Sequence, residues 1–137
     1  MARILIVDDE ESDRLLAQAI LARAGHECFF AHDGDEALHQ LRKYTFDVVL
    51  TDLHMPEVHG FEVIAILREF NPRPALVVMS STGAFQLHMA ESLGARYTLQ
   101  KPLDPDLLLD AIDRAVDDVT QERKDAAGKD GPAPPVA

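Results

Sequence analysis

Short, unbroken apolar runs set this chain's fold class, because they recur and end abruptly in polar residues. Ile4–Val7, Val48–Leu50 and Ala75–Met79 are rich in β-branched residues. They stop at Asp8-Asp9, Thr51-Asp52 and Ser80-Ser81. Runs of this length with no polar alternation fit strands buried on both faces, as in a parallel sheet. Cys28–Ala31 and Tyr97–Leu99 are weaker runs of the same kind. Helical periods lie between them. Ser12–Ala24 carries Leu15, Leu16, Ala19, Ile20 and Ala24, and Gly25 follows as a stop. Asp35–Tyr44, Phe61–Phe70 and Phe85–Leu93 follow, the last ending at Gly94. Asp104-Pro105 opens another helix, with an aspartate cap and proline at the first helical position. Leu107, Leu108, Ala111, Ile112, Ala115 and Val116 continue its period.

Strand and helix therefore alternate five times. The expected fold is α/β, a doubly wound five-stranded parallel sheet in (βα)5 order with right-handed crossovers. One domain over residues 1–119 accounts for the pattern. After about Thr120 it dissolves, and 126–137 holds three prolines and two glycines in twelve residues. Residues 120–137 read as a flexible tail or linker.

Charge narrows the function. The net charge of -11 argues against direct nucleic-acid binding. Cys28 stands alone, so no intrachain disulfide can form and nothing asks for an oxidising compartment. The first apolar run is too short for a signal peptide or membrane span. These features place the chain in the cytoplasm.

In such sheets, ligands sit at the carboxyl ends of the strands. Asp8 and Asp9 follow the first strand, Asp52 ends the third, Ser80 the fourth, and Lys101 follows the fifth. Three carboxylates, a hydroxyl and an ammonium thus converge on one rim. Clustered carboxylates repel, and a hard cation such as Mg²⁺ relieves them. A metal suits phosphoryl transfer, in which a carboxylate can be the nucleophile. Each residue also has a plainer reading: solvated loop, helix cap, turn serine, surface lysine. Only the constellation raises them together. The six histidines have no zinc-ligand spacing. Ser80-Ser81-Thr82-Gly83 lacks a phosphate-loop fingerprint and reads as a turn.

Four motifs then stand in order: ILIVDDE, VVLTDLHMPEVHGFE, VVMSSTG and GARYTLQKPL. Across about residues 1–119 the sequence resembles the receiver domain of two-component response regulators, with a flavodoxin-like fold. The resemblance implies a non-enzymatic signalling domain that catalyses its own phosphoryl uptake and slow hydrolysis. It makes Asp52 the phosphoacceptor, Ser80 the switch hydroxyl and Lys101 the ion-pairing lysine, with Lys101-Pro102 cis. It gives Mg²⁺ the ligands Asp8, Asp9, Asp52 and the His54 backbone carbonyl. Met55-Pro56 and Gly60 match the loop beside the acceptor. His54 and Thr82 match positions that tune hydrolysis. The family often has an aromatic switch residue three before the lysine, where this chain has Thr98, with Tyr97 adjacent.

The implied partners are a sensor histidine kinase or phosphotransfer protein, docking on the first helix, and a downstream protein target. The target would read the last two helices and the strand between them. No nucleic acid, by this domain alone, and no membrane is expected; a homodimer is open. The rivals are an unphosphorylated scaffold, an aspartate-dependent phosphohydrolase and a flavin protein. The two enzymes would need a different loop after the first strand.

Overall fold

The computed structural model describes residues 2–53, 60–81 and 84–130. Strands are β1 (Arg3–Val7), β2 (Glu27–Ala31), β3 (Val48–Asp52), β4 (Ala75–Ser80) and β5 (Tyr97–Gln100). Helices are α1 (Glu11–Arg23), α2 (Gly34–Lys43), α3 (Gly60–Leu67), α4 (Ala84–Leu93) and α5 (Pro105–Asp130). All strand pairings are parallel, in the order β2-β1-β3-β4-β5. This is the expected doubly wound sheet.

The sheet divides the core in two. Ile4, Ile6, Val48, Leu50, Val77 and Met79 pack with Ala17 and Leu21 of α1 and Leu108, Ile112 and Ala115 of α5. Leu5, Val7, Val49, Leu76 and Val78 pack with Ala37 and Leu41 of α2, Val63, Ile64 and Leu67 of α3, and Ala90 of α4. Alternate residues of each strand go to opposite faces. With helices on both sides, both sets become apolar, and the continuous runs follow.

Glycine matters at two helix ends. Gly25 and Gly94 take φ of +90° and +122° after α1 and α4, a region that side chains with a Cβ rarely enter. The end of α3 differs from the expected Phe61–Phe70. Its last residues, Arg68, Glu69 and Phe70, bond to carbonyls three residues back, a tightened 3₁₀-type turn before Pro72.

Two readings need correction. The band of Leu15, Leu16, Ala19, Ile20 and Ala24 is not the core stripe of α1. The sheet covers Ala17 and Leu21 instead, and Leu15 is 52% exposed. This helix is apolar on more than one side, and periodicity alone cannot say which side the sheet takes. Leu16, Ala19 and Ile20 line a groove of about 350 Å³ with Arg23, Pro105 and Leu109. In α5, likewise, Leu108 and Ala111 are buried while Leu107 is 60% exposed.

The second correction concerns the tail. Helix α5 does not stop near Thr120 but runs to Asp130. Residues 120–127 (TQERKDAA) are mostly good helix formers. Two ion pairs anchor them to the body. Glu122 pairs with Arg96. Arg123 donates to Asp47 Oδ1 at 2.7 Å and to the Phe46 carbonyl at 2.9 Å. Residues 131–137 of the expected tail lie outside the described residues. Arg123→Ala should cost about 1 kcal/mol, the worth of a partly solvated charged hydrogen-bond pair. A lower urea midpoint with an unchanged slope would show it; an unchanged midpoint would mean the contact adds nothing.

His26 couples stability to pH. The Ala2 N–H donates to its Nδ1 at 3.2 Å, so the imidazole must be neutral there. Burial lowers its pKa below 6.5, and the N-terminal charge adds to this against Asp113 and Asp47. Between the folded and unfolded values, the unfolded chain binds the extra proton. Stability is therefore complete above about 6.5 and is lost as pH falls through the folded value. His26→Gln keeps an acceptor without the titration. Its melting temperature should fall less steeply than wild type from pH 7 to 5, and parallel curves would refute the role.

Candidate functional site

Backbone bonds beyond the strands fix where the polar residues emerge. Asp8 N–H donates to the Ala31 carbonyl at 3.0 Å, Leu53 N–H to Met79 at 3.1 Å, and Lys101 N–H to Ser80 at 2.8 Å. The sheet's hydrogen bonding thus reaches the site and holds Asp8, Asp52, Ser80 and Lys101 on a rigid rim. Asp52 keeps step with Val48 and Leu50, so it belongs to the face that α1 and α5 cover.

Lys101 gathers the rim. Its ammonium donates to Asp8 Oδ2 at 2.7 Å, Asp13 Oδ2 at 2.8 Å and Asp52 Oδ2 at 3.2 Å. Asp8, Asp52 and Ser80 are almost wholly buried. Asp9 is partly exposed at the mouth. Asp8 is further fixed by its neighbours: Glu10 N–H donates to its Oδ1 at 3.0 Å, and Arg14 donates to its carbonyl at 2.7 Å.

The electrostatics are unbalanced. Burial raises the Asp8 pKa above 3.8; the bonds from Lys101 and Glu10 oppose that, and the Asp52 charge adds to it. Burial alone would lower the Lys101 pKa. The bonds to Asp13 and Asp8 outweigh it, so the lysine ends above its ordinary value and stays charged. Three carboxylates bond this one ammonium, and a fourth, Asp9, clusters with two of them.

Oxygens of Asp8, Asp9 and Asp52 lie within 4.8 Å of one another, the one such metal-ready group among the described residues. An all-oxygen, anionic donor set of this size suits a hard divalent cation such as Mg²⁺. The expected fourth ligand, the His54 carbonyl, lies outside the described residues, as do Met55, Pro56, His59 and Thr82. Gly60 opens α3. Lys101-Pro102 is cis, as expected, and so is Asn71-Pro72.

The Thr98 hydroxyl bonds Glu91 of α4 at 3.2 Å. The Tyr97 hydroxyl donates to Asp118 of α5 at 2.7 Å on the other side. The Asp118 bond, aided by burial, raises the Tyr97 pKa above 10. Cys28 packs against the α1/α5 core, and burial, with the Glu27 charge, raises its thiol to about 11, where it is inert as a nucleophile.

Sequence reasoning missed Asp13 and Arg14. Both sit in the opening turns of α1, and no motif marks them. Only the fold brings that helix end to Lys101, beyond the end of β5.

The response regulator receiver domain family matches residues 4–113. The transcriptional regulatory protein ZraR of Salmonella typhimurium is 33% identical over 114 residues, 82% of this chain and 26% of that protein. The CAI-1 autoinducer sensor kinase/phosphatase CqsS of Vibrio cholerae is 32% identical over 114 residues, 80% of this chain and 17% of its own. The chain thus spans about a quarter or less of the length of these curated relatives. The structure of the chemotaxis response regulator CheY4 of Vibrio cholerae superposes with a TM-score of 0.76 at 33% identity. It covers 84% of this chain and 98% of that one. No described helix is long and apolar enough to cross a membrane. The rim, the sheet order and these likenesses agree: this chain belongs to the response regulator receiver domain family.

Proposed function

We propose that the domain is a phosphorylation-driven switch with Asp52 as acceptor. One observation carries this reading: a single buried ammonium joins Asp8 and Asp52, which come from different strands, in a chain of the receiver family. A partner histidine kinase or phosphotransfer protein presents a phosphohistidine. An Asp52 carboxylate oxygen attacks phosphorus and forms a P–O bond. The P–N bond breaks, and its electron pair returns to the imidazole. Lys101 holds charge on the phosphoryl oxygens, and the Ser80 hydroxyl donates to one of them. Asp8, Asp9, Asp52 and the His54 carbonyl would hold Mg²⁺, which supplies neutralising charge to the phosphoryl oxygens. Water later cleaves the acyl phosphate and restores the carboxylate.

The new charge biases a two-state surface. Its readout face is α4, β5 and α5, for a downstream protein target or a second copy of the chain. Thr98–Glu91 and Tyr97–Asp118 tie those three elements together, so a shift of β5 reaches both helices. The kinase docks on α1. The test is intact mass after incubation with acetyl phosphate. A gain that needs both Mg²⁺ and Asp52 supports the reading, and a gain on another residue removes Asp52 from it.

A further inference from the structure

Asp13 is absent from the proposed transfer chemistry, yet it makes one of the shortest bonds in the site. Its carboxylate receives Lys101 at 2.8 Å, closer than Asp52 at 3.2 Å. An ammonium has three protons, and here Asp8, Asp13 and Asp52 take all three. Asp8 and Asp52 belong to the three-carboxylate cluster that a cation would hold, and Asp13 does not. The Asp13 side chain is also 35% exposed, against 0% and 8% for the other two. It can return to water at least cost.

We infer that Asp13 is a positioning residue that competes with the phosphoryl group for Lys101; this rests on Asp52 being the acceptor. In the unmodified domain, Asp13 and Asp8 draw the ammonium away from the acceptor. When oxygens arrive on Asp52, Lys101 exchanges Asp13 for one of them. The carboxylate thereby weakens the phosphorylated state. The plainer role, an acidic group in the first turn of α1, would change helix stability and leave anion binding alone.

Beryllofluoride, a phosphoryl mimic, separates these roles. It is titrated at saturating Mg²⁺ into wild type, Asp13→Asn and Asp13→Glu, followed by calorimetry and fluorine NMR, with melting temperatures beside them. Asp13→Asn should bind about fivefold tighter, the size expected for releasing a partly solvated ion pair. Asp13→Glu restores the charge within reach of Lys101 and should return to wild-type affinity. Equal or weaker binding by Asp13→Asn overturns the inference. So does an equal gain in both variants, since charge would then be irrelevant. If wild type binds no beryllofluoride and takes no phosphoryl group, the acceptor reading falls and this one with it. If wild type binds and only Asp13→Asn fails to differ, the acceptor reading stands alone.

Discussion

Asp52→Asn should keep its unmodified mass under conditions in which the wild-type chain should gain about 80 Da, one phosphoryl group. The substitution replaces the oxygen pair proposed as the nucleophile with an amide of the same shape. It also removes one of the clustered carboxylates, so the folded state should lose nothing. Retained melting temperature with lost uptake therefore separates chemistry from folding. Wild-type uptake should vanish when a chelator removes Mg²⁺ and return when it is restored. Sustained turnover of simple phosphate esters would instead favour a phosphohydrolase. A folded wild type that stays unmodified with both acetyl phosphate and a panel of phosphorylated kinases would favour a scaffold.

Lys101→Ala should destabilise the domain by about 3 kcal/mol without Mg²⁺, because removing one partner strands a buried charge. Asp8 is fully buried, and Lys101 is the only side chain bonded to its carboxylate among the described residues. Asp13 and Asp52 would lose the same counterion. Saturating Mg²⁺ should recover much of the loss, since a cation that binds only the folded state stabilises it. Urea unfolding of both proteins with and without Mg²⁺ measures this. A cost under 1 kcal/mol in the absence of Mg²⁺ would mean that protonation of Asp8 already relieves the site.

The strands were legible because burial on both faces writes itself as unbroken apolar runs. Asp8, Asp52, Ser80 and Lys101 were legible for a related reason, as each polar residue ends or follows such a run. The α1 face was not, because Leu15, Leu16, Ala17, Ile20 and Leu21 leave several stripes open, and packing on the sheet chooses among them. The helical course of 120–130 was hidden by composition. Nearby glycine and proline suggest a linker, while the anchors Asp47 and Phe46 lie more than seventy residues earlier in the chain. Asp13 was invisible for the same kind of reason: its partner is 88 residues away.

Helix α5 begins beside the site and is 26 residues long, or about 39 Å at 1.5 Å per residue. Arg123 grips the opposite end of the sheet, where β3 begins. Between those two ends Leu108, Ile112, Ala115 and Val119 are packed into the core, so the helix is held along its length up to that grip. Seven residues, Lys124–Asp130, continue beyond it, and a helix is stiff along its axis. The grip therefore sets the direction in which this last stretch projects from the body.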